Sequence, residues 1–237
     1  MSQIDIPNYE PDFAAAVKAF WGARDEQAER QLSQGKVDAG TRGAVTGGKH
    51  LDKVADLVAQ ILVDAGLELP RPKRLPGYYR RSKNWDVVSM YGRAIGAVVE
   101  LKSQVGSIGN NANNRIEEMI GQSVDLWKAV REDLMGPIPP WFGYFMLVEE
   151  SSISTRKTSS QGMHPYPEDG IFNNTSYLDR YAIALKRLRH ERDMDQVCLV
   201  ASSRDGSYHY PDSTMSFQAF AASLHARGLE VRASMRS

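Results

Sequence analysis

The sequence of 237 residues holds a single cysteine, Cys198, so an internal disulfide is excluded and no thiolate pair exists for zinc. In the apolar run Gln196-Val197-Cys198-Leu199-Val200 that thiol reads as a small buried hydrophobe. Long hydrophobic runs are missing too: none approaches the roughly 20 residues that a membrane-crossing helix needs. The stretch from Met1 to Glu10 has neither the basic nor the apolar segment of a secretion signal. Charge of one sign is not in excess, since 29 basic side chains stand against 29 acidic ones. The histidines, His50, His164, His190, His209 and His225, show no metal-ligand spacing. Gly47-Gly48-Lys49 lacks the rest of a phosphate-binding loop, so no nucleotide site is assigned. These absences leave a soluble, cytoplasmic protein as the expectation. Apolar residues make up 42% of the chain, which suits one globular domain, with or without a small appendage.

What is present is unevenly distributed. From Arg71 to Lys83 the chain carries Arg71, Lys73, Arg74, Arg80, Arg81 and Lys83 with no acid, interleaved with Tyr78 and Tyr79. A second basic cluster, Lys186, Arg187, Arg189 and Arg192, falls on a predicted helix. Such runs are commonly solvated surface, and they also suit a phosphate backbone. Helical spacing of Phe13, Val17, Phe20 and Trp21 predicts a helix from about Asp12 to Gln34, followed by a glycine-rich loop from Gly35 to Gly48. A second helix is predicted from Leu51 to Asp64, closed by Gly66. Trp85 to Met90 and Ala94 to Lys102 read as strands joined by the tight turn Tyr91-Gly92-Arg93. A long helix from about Asn113 to Leu134 ends at Pro137, and Trp141 to Glu149 is an almost wholly apolar strand of the kind found inside a mixed sheet. A loop from Ser151 to Asn174 leads to a helix from Tyr177 to Arg192, a strand from Gln196 to Ala201 and a last helix from Phe217 to Arg227. This order predicts an α/β sandwich around a mixed sheet.

Strict alternation along the second strand would put Ile95, Ala97, Val99 and Leu101 on one face and Ala94, Gly96, Val98, Glu100 and Lys102 on the other. Glu100 and Lys102 are then neighbours at the strand's end, and an antiparallel hairpin brings Asp86, at the start of its partner, beside them. Two converging carboxylates hold a hard cation through oxygen, with the Leu101 carbonyl as a further ligand; Mg²⁺ fits this donor type. An adjacent ammonium, Lys102, suits the orientation or deprotonation of an attacking water and the stabilisation of charge in phosphodiester hydrolysis. The spacing alone leaves two readings open, a hydrolytic centre or a solvated pair at a strand end. Gly106 to Arg115 follows directly. Its asparagines Asn110, Asn111, Asn113 and Asn114 suit bidentate reading of adenine edges, and Arg115 suits guanine or phosphate. Ordinary loop and cap chemistry accounts for the same residues. Glu117 and Glu118 are candidates for outer-shell metal ligation, or simply acids placed to suit a helix N-terminus.

The hairpin resembles the PD-(D/E)xK nuclease signature, with tryptophan in place of proline before Asp86. More specifically the chain resembles the XhoI-type family of type II restriction endonucleases. The resemblance is carried by Leu75-Pro76-Gly77-Tyr78-Tyr79-Arg80 with Lys83 and Trp85-Asp86, then Glu100-Leu101-Lys102-Ser103 with Val105-Gly106. Gly109-Asn110-Asn111, Asn113-Asn114-Arg115, Glu117-Glu118 and Ile120-Gly121 continue it. Further matches are Phe20-Trp21-Gly22, Val45 to Lys49, Leu147-Val148-Glu149 and Ser176-Tyr177-Leu178 with Arg180-Tyr181, so most of the chain to about Arg192 is covered. The loop between Val105 and Asn110 is one residue shorter than the family's usual form, and Ala112 replaces an aromatic residue. The resemblance implies a restriction-endonuclease-like α/β (α+β) fold with residues 1–48 as a helical arm and loop, 49–203 as the catalytic core and 204–237 as a helical appendage. It implies Asp86 and Glu100 as metal ligands and Lys102 as the catalytic lysine; from the basic run, Arg80, Arg81 and Lys83 are expected to grip DNA phosphates. It further implies a homodimer that cuts duplex DNA at CTCGAG after the first cytosine, leaving four-base 5′ extensions, and a companion DNA methyltransferase. A repair or junction-resolving nuclease of the same fold, and a DNA-binding module without activity, are the alternatives.

Overall fold

The computed structural model of the chain describes residues 6–33, 50–158 and 166–235. The expected loop from Gly35 to Gly48, the Val45 to Lys49 match and His164 lie outside those residues. Along the described chain, α1 (Glu10–Ser33) and α2 (Asp52–Asp64) precede a small hairpin, β1 (Arg74–Pro76) and β2 (Ser82–Asn84). The central elements are β3 (Val87–Tyr91), β4 (Ala94–Gln104), α3 (Ile108–Arg131) and β5 (Trp141–Glu149). Then come α4 (Ser152–Thr155), α5 (Tyr177–His190), β6 (Gln196–Ser202), β7 (Tyr208–His209) and α6 (Phe217–Ser234).

Five strands form one mixed sheet in the order β3-β4-β5-β6-β7, with β4, β5 and β6 parallel and the outer pairs antiparallel. The crossovers through α3 and α5 step in the same direction across the sheet. Right-handed connection therefore lays both helices on one face. The sheet's two faces accordingly bury two separate clusters. One gathers Met119, Leu126, Leu185 and Leu188 from α3 and α5 against Phe142, Tyr144 and Met146. The other gathers α1, α2 and α6, through Phe13, Phe20, Val58, Ile61, Phe217 and Leu224, against Val99, Phe145 and Cys198. The helices expected as a terminal arm and appendage thus both lend side chains to a sheet-covering core. Cys198 is wholly buried at the middle of β6, and burial pushes its thiol well above the ordinary cysteine range.

Local chemistry explains the hairpin that carries the site. Gly92 turns at φ +57°, a conformation that residues with a Cβ resist and a two-residue hairpin turn uses. The pairing runs Val87↔Val99, Val88↔Val98 and Ser89↔Ala97, then jumps to Met90↔Ile95, so Gly96 is an extra residue on β4. The Ser89 hydroxyl accepts from the Ala97 amide at 3.0 Å, and Arg227 of α6 donates to the Gly96 carbonyl at 2.8 Å. This bulge corrects the simple alternation. Ala94 lies with Ala97, Val99 and Leu101 in the cluster under α2, whereas Ile95 lies with Val98 on the opposite face.

Other differences have equally local causes. The helix expected from about Asn113 starts five residues earlier. Positive φ at Gly106 and Ser107 reverses the chain, and α3 begins at Ile108. The basic run from Arg71 to Lys83 folds into the β1–β2 hairpin, with Leu75 opposite Lys83. The loop from Ser151 to Asn174 contains α4, started by a reciprocal Ser151–Ser154 cap, and α6 runs beyond Arg227 to Ser234.

Candidate active site

Asp86 directly precedes β3, and the register Val87↔Val99 sets it across from Glu100. Its Oδ2 accepts from the Leu101 amide at 2.7 Å, which anchors the aspartate to the edge of β4. Glu100 is only 2% exposed. Its side chain leaves β4 on the α3 side, beside Tyr144 in the parallel register with β5. Its Oε1 accepts from the Lys102 ammonium in a close ion pair and from Gln122 Nε2 of α3 at 3.0 Å. Its Oε2 accepts from Lys83 Nζ at 2.7 Å. Asp86, Glu100 and Lys102 therefore meet at one end of the hairpin, with Lys83 and Gln122 joining them.

Electrostatics at this point are opposed rather than relaxed. Burial raises the Asp86 pKa, and the charge of Glu100 raises it further; the Leu101 amide, Lys102 and Lys83 pull the other way without reversing the shift. Burial also lowers the Lys83 pKa against the pull of Glu100. A cleft opens beside Asp86 and Leu101, walled by Trp85, Lys73 and Asp52 at the start of α2. Lys73 Nζ donates to the Asp86 carbonyl at 2.5 Å and closes one side. Among the described residues no group of three or more His, Cys, Asp or Glu side chains is arranged to hold a metal ion. Asp86 at the cleft and the neighbouring Glu100, whose charges repel, nonetheless fit a hard divalent cation that retains several waters. They do not fit a soft or fully protein-caged ion.

The remaining sequence candidates divide by location. Arg81 is exposed, but Arg80 is tied to the buried Asp125 of α3, its Nε donating to Oδ2 at 2.6 Å. The same carboxylate accepts from the amides of Tyr78 and Tyr79 at 3.0 and 2.7 Å, clamping the hairpin tip onto α3. Asn110, Asn113 and Asn114 are exposed on the first turns of α3, and Asn111 donates to the Ser107 carbonyl at 3.0 Å. Arg115 bridges Gln104 at the end of β4 and Glu118 at 3.3 and 2.6 Å. Glu117 is exposed, whereas Glu118 is engaged by Arg115. Three members of the second basic cluster have partners within the chain: Lys186 has Asp212, Arg187 has Asp169, and Arg189 has Gln196 and Thr214.

Sequence reasoning missed Gln122 at the site and placed Lys83 among surface DNA contacts. Gln122 had a usable signal, since it interrupts the apolar stripe Met119, Leu126, Ala129 of α3 with a buried amide. Lys83 had none, because its neighbours depend on a hairpin of three-residue strands.

Comparison with known proteins gives a consistent picture. The family profile described as restriction endonuclease XhoI matches residues 30–212. The type II restriction enzyme BstVI of Geobacillus stearothermophilus is 37% identical over 79% of this chain and 90% of its own length. The type II restriction enzyme XhoI of Xanthomonas vasicola is 38% identical over 78% of this chain and 77% of its own. The type II restriction enzyme AbrI of Azospirillum brasilense is 38% identical over 68% of this chain and 76% of its own. No solved structure matches.

Proposed function

Because the chain belongs to the XhoI family of restriction endonucleases, we propose that it hydrolyses duplex DNA at the palindrome CTCGAG, after the first cytosine, leaving 5′-phosphate ends with four-base 5′ extensions. The single observation that carries the catalytic part of this reading is the convergence of Asp86, Glu100 and Lys102 at one end of the β3–β4 hairpin. In it, Asp86, Glu100 and the Leu101 carbonyl hold Mg²⁺. When bound, that ion supplies polarisation of the phosphoryl oxygen and acidification of a water. Lys102 orients the attacking water and stabilises negative charge building at phosphorus. Gln122 fixes the rotamer of Glu100, so the carboxylate is preorganised before DNA arrives.

On the DNA side, Arg81 grips the backbone, and Arg80 sets the hairpin that presents it. The first turns of α3, with Asn110, Asn111, Asn113, Asn114 and Arg115, read bases in the major groove. A palindrome is matched by a two-fold homodimer in which each protomer cuts one strand. A methyltransferase of the same specificity would protect the host's own sites in the cytoplasm. The test is digestion of a sequenced plasmid with Mg²⁺. Discrete fragments ending at CTCGAG are expected. Lys102→Ala and Asp86→Ala should bind the same duplex yet cut about a hundred- to a thousand-fold more slowly, the scale of losing one group that stabilises a transition state. Undiminished cutting by Asp86→Ala would remove the mechanism.

A further inference from the structure

Glu100 is bracketed by two ammonium groups. Lys102, from its own strand, takes Oε1, while Lys83 takes Oε2 at 2.7 Å. Lys83 is not a surface cation: its side chain is 12% exposed, and its Nζ lies 4.3 Å from the centroid of the Trp85 ring, with which it makes a cation–π contact. It also arrives from a different place, the β1–β2 hairpin outside the five-stranded sheet, three residues before Asp86. Asp86, Glu100, Lys83 and Lys102 together sum to zero charge. Glu100 is buried and Asp86 half-buried, and Lys83 supplies one of the two positive charges that face them.

We infer that Lys83 is a built-in counter-ion that competes with the divalent cation for Glu100 and so limits the metal affinity of the DNA-free protein. The inference rests on the metal site proposed above. Any cation drawn to Glu100 meets the positive charge of Lys83 next to one of its two oxygens, in a setting where screening by water is poor. With the lysine in place, a divalent ion leaves the cluster doubly positive, and the phosphodiester groups of DNA, one negative charge each, offset that excess. Ion and DNA therefore load together, and the free protein holds metal weakly.

Titration of Mn²⁺ into the DNA-free protein, followed calorimetrically, tests this. Lys83→Gln keeps a hydrogen-bond donor for Oε2 but removes the charge, and Lys83→Met removes both. Each should bind Mn²⁺ about ten-fold more tightly than wild type, or better, whereas Lys83→Arg should stay within about two-fold. Should the Met variant fail to fold, the Gln variant carries the comparison. If Lys83→Gln binds no tighter than a wild type whose binding is abolished by Asp86→Asn, the inference falls alone. If Asp86→Asn changes Mn²⁺ binding in none of the backgrounds, the metal site falls with it.

Discussion

Asp86 carries an electrostatic conflict that its proposed role requires. Burial and the charge of Glu100 lift its pKa above the ordinary aspartate value of 3.8. A carboxylate more basic in the folded than in the unfolded chain costs stability wherever it is ionised. That cost is absent below the unfolded value and grows as pH rises through the folded one. At neutral pH, Asp86→Asn should therefore raise the Tm of the metal-free protein by a few degrees while cleavage is lost. The asparagine carbonyl can still accept the Leu101 amide. Thermal melts in a chelating buffer check this, and a lowered Tm would contradict it. At this scale the sequence was readable where period and topology settle geometry: a two-fold repeat puts Lys102 beside Glu100, and an antiparallel hairpin brings Asp86 to that end, although it is the β4 bulge that sets Asp86 across from Glu100 instead of Val99. Gln122 was readable only as a polar break in the apolar stripe of α3, and Lys83 was not readable at all, because its position depends on where a separate hairpin docks.

The β1–β2 hairpin shows the same principle in whole elements. Asp125 accepts the two tip amides and the Arg80 guanidinium, and Gly77 leaves it room, since a Cβ there would lie 2.7 Å from Asp125 Oδ2. Burial pushes the Asp125 carboxyl up, but the bonds from Arg80, Tyr79 and Tyr78 outweigh it and hold the pKa below the usual 3.8. Its contribution is thus complete above that value and fades as pH falls below it. Amide exchange at Tyr78 and Tyr79 should accelerate in that acidic window before the sheet opens. Asp125→Ala should cost about 2 kcal/mol by urea unfolding, the scale of stranded amides and a lost charged partner. A change near zero would mean that the tip is held by something else. No periodicity betrays this hairpin, so the residues read as a solvated basic stretch. The β4 bulge is similarly hidden: a lone Gly96 hints at it, but the jump from Ser89↔Ala97 to Met90↔Ile95 depends on the partner strand.

For the whole molecule, equal numbers of acids and bases mean that DNA attraction comes from arrangement, not from net charge. Arg187 and Lys186 are neutralised by partners, which leaves the end of β4, the start of α3 and the hairpin tip as the proposed contact zone. Binding to a CTCGAG duplex should therefore weaken at least about ten-fold between 50 and 200 mM salt, as counterion release demands of a few phosphate contacts. Sedimentation should give a mass of two chains of 26.4 kDa each, and a monomer on DNA would overturn the two-fold reading. The layered architecture was legible because β5 and β6 are apolar on both sides and must lie inside a sheet. The two faces could not be told apart, because nothing in α6 announces that it shares a core with α1.

Cys198, sealed in the middle of β6, gives the chain a native clock. A colour-forming thiol reagent can reach it only when the strands part, so the reaction rate counts those openings directly. With no second sulfhydryl in the sequence, the signal comes from one known place, and no label need be introduced.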